Sequence, residues 1–518
     1  MLEVRIKGEV VRKTLAWLCA AALVAAPADA AWYQASSKHF IIYANDNPKR
    51  LHDFAERLER FDAAVRFSKK MDDPEVGDGN RLTVFVMPKV AEVRALAGDK
   101  TGFIDGFYTG RIAGPLAYIG QDAGTYGLSG DTIFFHEYTH HLMMQQTDAP
   151  PYPEWFVEGF AEFFSTPVFE HDGSVELGLA AQHRGAGLFY GPKLPVATLF
   201  AGMQPNMTAE QRDVFYGRGW LLTHYLLLGK KRDGQLTKYV ALLSSGVPSV
   251  DAAHQAFGDF GQLDRELNEY MGRRLSALRV ASSQTHIGTI DVAPLSEGAS
   301  QVIAARAKIK FAGNQPAETL AGEVRAIETR FVGDSLVERT LAEAELNADH
   351  PQAAEAAADR AMKADPRSTE AMVLKGRALA AEASSVDDRE KADTMFERAR
   401  ATLIAANKID TEDPEPLYEY YHTYVREGMR PTDNALAALH YASDLAPQDV
   451  GARMNSAIAY LNEGKFNEAR STLTVVAYSP HAATTGDMAK RMIADIDAGK
   501  GKAALLEMRG RATQPASR

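Results

Sequence analysis

Residues 131–146 read DTIFFHEYTHHLMMQQ, with His136, Glu137, His140 and His141 inside one short run. His136 and His140 are four apart, so on a helix they stand one turn apart on the same face. Two imidazoles at that spacing can hold one Zn²⁺, and Glu137 beside them is placed to act on a metal-bound water. Asp131 is suited to be the N-cap of that helix, its carboxylate accepting from a free backbone N–H. His141 follows His140 by about 100° of helix rotation and is excluded from the same metal face. Two histidines do not close a site, so a third ligand must arrive from elsewhere.

That ligand is expected on a second helix. PYPEWFVEGFAEFF, residues 151–164, offers Glu154, Glu158 and Glu162. Glu158 and Glu162 are again i and i+4, one carboxylate for the metal and one for the free ring nitrogen of a ligand histidine. Glu154 follows Pro151 and Pro153, which puts it at the helix entrance, complementing the dipole. A solvated acidic face fits badly with Trp155, Phe156, Phe160, Phe163 and Phe164 in the same segment.

HEYTH followed by WFVEGFAEFF resembles the gluzincin metallopeptidases, the clan of thermolysin and aminopeptidase N, and most closely the bacterial peptidase-MA-like domains. The similarity runs from about Trp32 to residue 280. It implies an α+β zincin-like domain, a mixed N-terminal sheet above a helical lower part, holding one Zn²⁺ through His136, His140 and Glu158. Glu162 would hydrogen-bond a ligand histidine and Glu137 would be the general base. Gluzincins also supply an oxyanion donor downstream of the glutamate ligand. Tyr216 and His224, both in VFYGRGWLLTHYLL, fit that role, and the resemblance favours Tyr216.

The elements around these motifs are partly legible. KHFIIYA and RLTVFVM are β-rich runs. Leu51, Phe54, Leu58, Phe61 and Val65 between them mark an amphipathic helix. TGFIDGFYTGRIAGPLAYIG reads as a hairpin or paired edge strands, and an edge strand from residues 103–120 would pair with substrate backbone. Residues 131–280 look mainly helical, and 281–330 read as a linker with partial helix. Beyond 330 the chain becomes Ala-rich helices punctuated by Pro366, Pro414, Pro447 and Pro480. The last two gaps are equal (447 − 414 = 480 − 447 = 33), and repeats near 34 residues have the length of a tetratricopeptide helix pair. AYLNEGKFNEARSTL places Tyr460, Gly464, Phe466 and Ala469 at the small and aromatic positions of that pattern, and ASSVDDREK would fill the longer gap. An all-α tetratricopeptide-like solenoid is therefore expected over 331–485, with a C-terminal helix and tail over 486–518.

At 518 residues the chain is long enough for two or three domains. A net charge of −11 argues against nucleic acid as the main partner. Arg5, Lys7, Arg12 and Lys13, the apolar run LAWLCAAALVAA, and Ala28-Asp29-Ala30 form the three parts of a secretory leader. The run is too short to span a bilayer. Cleavage near Ala30 would leave an exported protein, periplasmic or extracellular, with no stable membrane span. The single cysteine, Cys19, would leave with the leader, excluding thiol catalysis and disulfides. The function expected is a zinc-dependent peptidase acting on peptide or protein substrates, with a repeat array that recruits substrate or a protein partner. The alternative is a non-catalytic interaction protein in which the array is the working part and the zincin domain a platform. Glu137 favours the enzyme, because a structural zinc site needs no such glutamate and has four protein ligands.

Overall fold

The computed structural model describes residues 32–99, 104–122, 130–145, 151–311, 315–479 and 482–501. The expected leader, with Cys19, and Pro480 lie outside the described residues. Among the described residues no helix is long and apolar enough to cross a membrane.

The chain opens with β1 (Tyr33–Ser36), β2 (Phe40–Ala44), α1 (Pro48–Lys69), β3 (Leu82–Met87), α2 (Val90–Ala97), β4 (Gly106–Thr109) and β5 (Leu116–Gly120). Helices α3 (Gly130–Met144) and α4 (Glu154–Phe164) follow and carry the two motifs. A small antiparallel sheet of β6 (Val168–Phe169), β7 (Val175–Leu177) and β8 (Leu278–Val280) brackets the next helices. These are α5 (Gly185–Tyr190), α6 (Val196–Ala201), α7 (Ala209–Leu228), α8 (Gln235–Ser244), α9 (Ser249–Phe257) and α10 (Phe260–Met271). β9 (Asp291–Pro294) then returns to the first sheet, whose order is β4-β5-β3-β2-β1-β9. β2, β3 and β5 run parallel, while β4, β1 and β9 are antiparallel to their neighbours. The expected hairpin is β4–β5, and β4 is the edge strand beside the histidine helix.

Alternation along β2, β3 and β5 sends side chains to two faces. Phe40, Ile42, Leu82, Val84, Val86, Ala117 and Ile119 share one core with α1 and α3. Tyr43, Phe85, Met87, Leu116 and Tyr118 face the other way, into a second core. That second face is covered by α11 (Glu297–Phe311), α12 (Ala317–Glu328) and α13 (Ser335–Asn347) through Val302, Ile303, Val324 and Val337. Tyr118 also donates its hydroxyl proton to the Ala307 carbonyl at 2.9 Å. Residues 281–330, expected as a linker with partial helix, therefore hold a strand of the main sheet and two helices of its outer layer. The N-terminal unit does not end at 280: this mixed sheet has a parallel, apolar centre whose two faces must both be covered, and these helices supply one cover.

From α13 onward the chain is a succession of helix pairs: α13 with α14 (Pro351–Ala364), α15 (Thr369–Ala383) with α16 (Arg389–Ile409), α17 (Pro414–Arg426) with α18 (Asp433–Leu445), and α19 (Val450–Glu463) with α20 (Phe466–Ala477). α21 (Ala483–Asp497) packs on α20 and ends the solenoid. Pro366 and Pro447 lie in turns between pairs and Pro414 opens α17. Gly464 ends α19 at φ 76°, where a side chain would be strained, and Ala469 is fully buried in the pair that follows. ASSVDDREK spans the end of α15, the intervening turn and the start of the long α16.

The solenoid grips the sheet unit with its inter-pair turns. Asp410 accepts from the Asp78 N–H at 2.7 Å, Asn80 donates to the Leu445 carbonyl at 2.6 Å, and Asp449 accepts from the Ile112 N–H at 2.6 Å. Ser479 lies against the sulfur of Met144, at the end of α3, at 3.6 Å.

Candidate metal centre

α3 is held against α1 before any ligand is considered. Phe61 of α1 packs on Phe135 with ring centroids 4.5 Å apart, and the Tyr138 hydroxyl donates to Asp62 at 2.8 Å. Asp131 is not the N-cap expected: the helix already includes Gly130, and the Asp131 carboxylate accepts from Arg57 at 2.9 Å. Residues 123–129 lie outside the described ones.

α4 starts after Pro153, and Glu154 in its first turn accepts from the Met203 N–H at 2.7 Å. Its aromatic side chains are buried and fix its rotation, so that Glu158 and Glu162 face α3. The Nε2 atoms of His136 and His140 are 3.1 Å apart. Glu158 Oε2 lies 3.3 Å from the first and 3.5 Å from the second. Zinc bonds of about 2.0–2.2 Å at tetrahedral angles separate ligand atoms by about 3.3–3.5 Å. The donor set and its spacing therefore fit one Zn²⁺ with a fourth position left over. The side chains of His136 and Glu158 are 15% and 13% exposed, so that position is reachable from outside, while His140 at 1% is sealed.

The electrostatics also favour a cation here. Burial works against a charged His136, yet Glu158 and Glu162 outweigh it and raise its pKa to about 10. Burial would likewise raise Glu158, but the two imidazoles pull it below the carboxylate range. Glu162, 3.4 Å from His136 Nδ1, is also held low, burial being outweighed by Arg184 and the histidines.

Glu162 has partners that the motif alone does not disclose. His183 Nε2 donates to it at 2.8 Å, and Arg184 donates twice, at 3.1 and 2.5 Å. Both come from a short turn before α5 with no motif of its own.

Glu137 lines a small void with Phe107 and Tyr108 of β4, so the intended base faces the edge strand. His141 is turned away from the metal face. Arg66 donates to the Gln145 side-chain Oε1, which leaves Gln145 Nε2 to donate to His141 Nε2 at 2.9 Å. His141 Nδ1–H then donates to the Tyr108 oxygen at 2.8 Å, and burial holds this imidazole neutral, its pKa down to about 3. It ties the edge strand to α3.

Tyr216 and His224, equal candidates by position, separate in the structure. His224 is buried, donates from Nε2 to the Ser276 carbonyl at 3.0 Å and accepts from the Tyr270 hydroxyl at 2.8 Å. With both nitrogens engaged it is a core histidine. Tyr216 is half-buried, and its pKa is raised by burial and then by the fields of Glu158, Glu137 and Glu162. A cleft of about 1330 Å³ is lined by Thr132, Phe135, Leu188, Trp220 and His183, the partner of Glu162, but not by His136, His140, Glu158 or Tyr216.

No family model matches the chain, and no curated protein matches it. Among solved structures, a thermophilic TPR protein of Thermus thermophilus aligns with 35% of this chain and 90% of its own, at 20% identity and a TM-score of 0.29. At that score the likeness carries no argument, and the helix pairs stand on their own geometry.

Proposed function

We propose that this chain is an exported zinc-dependent peptidase, a zincin-like unit joined to a tetratricopeptide-like array that receives a protein partner or substrate. The observation that carries the reading is the triad of His136, His140 and Glu158, with ligand atoms 3.1 to 3.5 Å apart and Glu137 on the same helix. Zn²⁺ held there supplies a Lewis acid that acidifies water and polarises a carbonyl. The remaining work falls to the chain itself. Glu137 takes the proton of the attacking water and passes it to the leaving amine. Tyr216 donates a hydrogen bond to the oxygen that gains charge. β4 offers an edge on which an extended peptide can lie, and the cleft beside Thr132 and His183 takes flanking side chains.

The test is cleavage of a mixed peptide library by the chain lacking residues 1–30. Hydrolysis should vanish with a chelator and return with added zinc. A protein loaded with one zinc that cleaves nothing overturns the peptidase reading and leaves the interaction protein in its place.

A further inference from the structure

We infer that Arg184 is the positioning residue of this centre, locking the Glu162 carboxylate against His136 and seating the ring of Tyr216. The inference rests on the metal reading above. Arg184 reaches three groups at once. Its Nε and Nη2 donate to one oxygen of Glu162 at 3.1 and 2.5 Å, and Nη1 donates to Asp213 of α7 at 2.6 Å. Its guanidinium carbon lies 5.1 Å from the centroid of the Tyr216 ring. A planar guanidinium with five fixed donors suits such a bridge, and a lysine could not make it.

The surroundings keep that geometry in place. The turn bearing Arg184 sits tightly on α7: a Cβ on Gly187 would overlap the Asp213 carboxylate, and one on Gly217 would come within 3.3 Å of Arg184 Cβ. The side chain is 20% exposed, so its ion pairs are only modestly screened. Glu162 is 1% exposed, and without Arg184 its charge would rest on the two histidines alone. A carboxylate in that state settles between His183 and His136, and the imidazole of His136 loses its fixed rotation. Partners that orient a ligand are typically worth about 10–100-fold in metal affinity. Arg184 acts through Glu162, so its effect belongs at the lower end of that range.

The test is a double-mutant cycle on zinc affinity, measured by competition with a chromophoric chelator. Glu162→Gln should weaken binding by about 10–100-fold and Arg184→Met by about 10-fold. The double variant should bind no more weakly than Glu162→Gln alone, because the arginine then has nothing left to orient. Arg184→Lys should restore little. Asp213→Asn, which only loosens the far anchor, should weaken binding a few-fold and serves if Arg184→Met does not fold. Additive losses in the cycle, or wild-type affinity in Arg184→Met and Asp213→Asn, would overturn the inference while leaving the metal centre standing. A wild type that binds no zinc overturns both. A wild type that binds zinc and shows the coupling without cleaving peptides sinks the peptidase reading alone.

Discussion

Gly159 of α4 and Gly219 of α7 face each other where the two helices cross. A Cβ on Gly159 would overlap the Gly219 carbonyl, and one on Gly219 would lie 2.7 Å from the Trp155 carbonyl oxygen. Both obstacles are backbone, so no rotamer change relieves them. This crossing brings the helix of Glu158 and Glu162 against the helix of Tyr216. Gly159→Ala should therefore destabilise the fold by about 1–3 kcal/mol and weaken zinc binding as Glu158 shifts. Thermal melting with chelator competition reads both, and an unchanged melting curve would show that the contact is not as tight as described.

His39 gives the stability a pH dependence. Burial lowers its pKa, but Asp62, Asp73 and Glu59 outweigh it and raise it to about 10. Glu59 accepts from Nδ1 at 2.7 Å and Asp73 from Nε2 at 2.9 Å, so the folded state holds the doubly protonated ring. A folded pKa above the unfolded value of about 6.5 means that this contribution is complete below about pH 6.5 and is lost as pH climbs through about 10. Urea titrations between pH 7 and 10.5 should show falling stability in the wild type and a flatter trend in His39→Gln. Parallel trends would contradict the assignment.

Histidine spacing, the aromatic Glu158 helix and the β-rich run of β3 were legible because each is a short local signal. The outer layer of the sheet was not. α11 buries Arg306 and Lys310 on the same face as Val302, Ile303, Ala305, Ala307 and Ile309, so charged residues interrupt that face and no apolar stripe marks it. β9 makes a single edge pairing and shows no buried alternation, and β6 to β8 are too short to carry a period. The partners of Glu162 come from a turn about twenty residues further on, and tertiary packing alone delivers them.

Because α11 to α13 share a core with the sheet, the array is not a detachable module. A fragment of residues 32–295 would leave Tyr43, Phe85, Leu116 and Tyr118 uncovered. That fragment should bind an apolar dye and lack a cooperative melting transition. A sharp transition and no dye binding would restore the boundary near residue 280.

Tyr216 and His224 should respond in opposite ways. Tyr216→Phe removes one donor from the reacting oxygen, a loss of about 10²–10³ in kcat, with zinc affinity and melting unchanged. His224→Leu leaves the Ser276 carbonyl without its partner and should lower stability first. Full activity in Tyr216→Phe would remove the tyrosine from the mechanism.

The most direct measurement compares zinc-loaded wild type with Glu137→Gln on a peptide that the wild type cleaves. Glu137 is not one of the three clustered ligand residues, so zinc content should match between the two proteins. Loss of the general base should lower turnover by about 10²–10⁴. Equal turnover in the two proteins at equal zinc content would contradict the account.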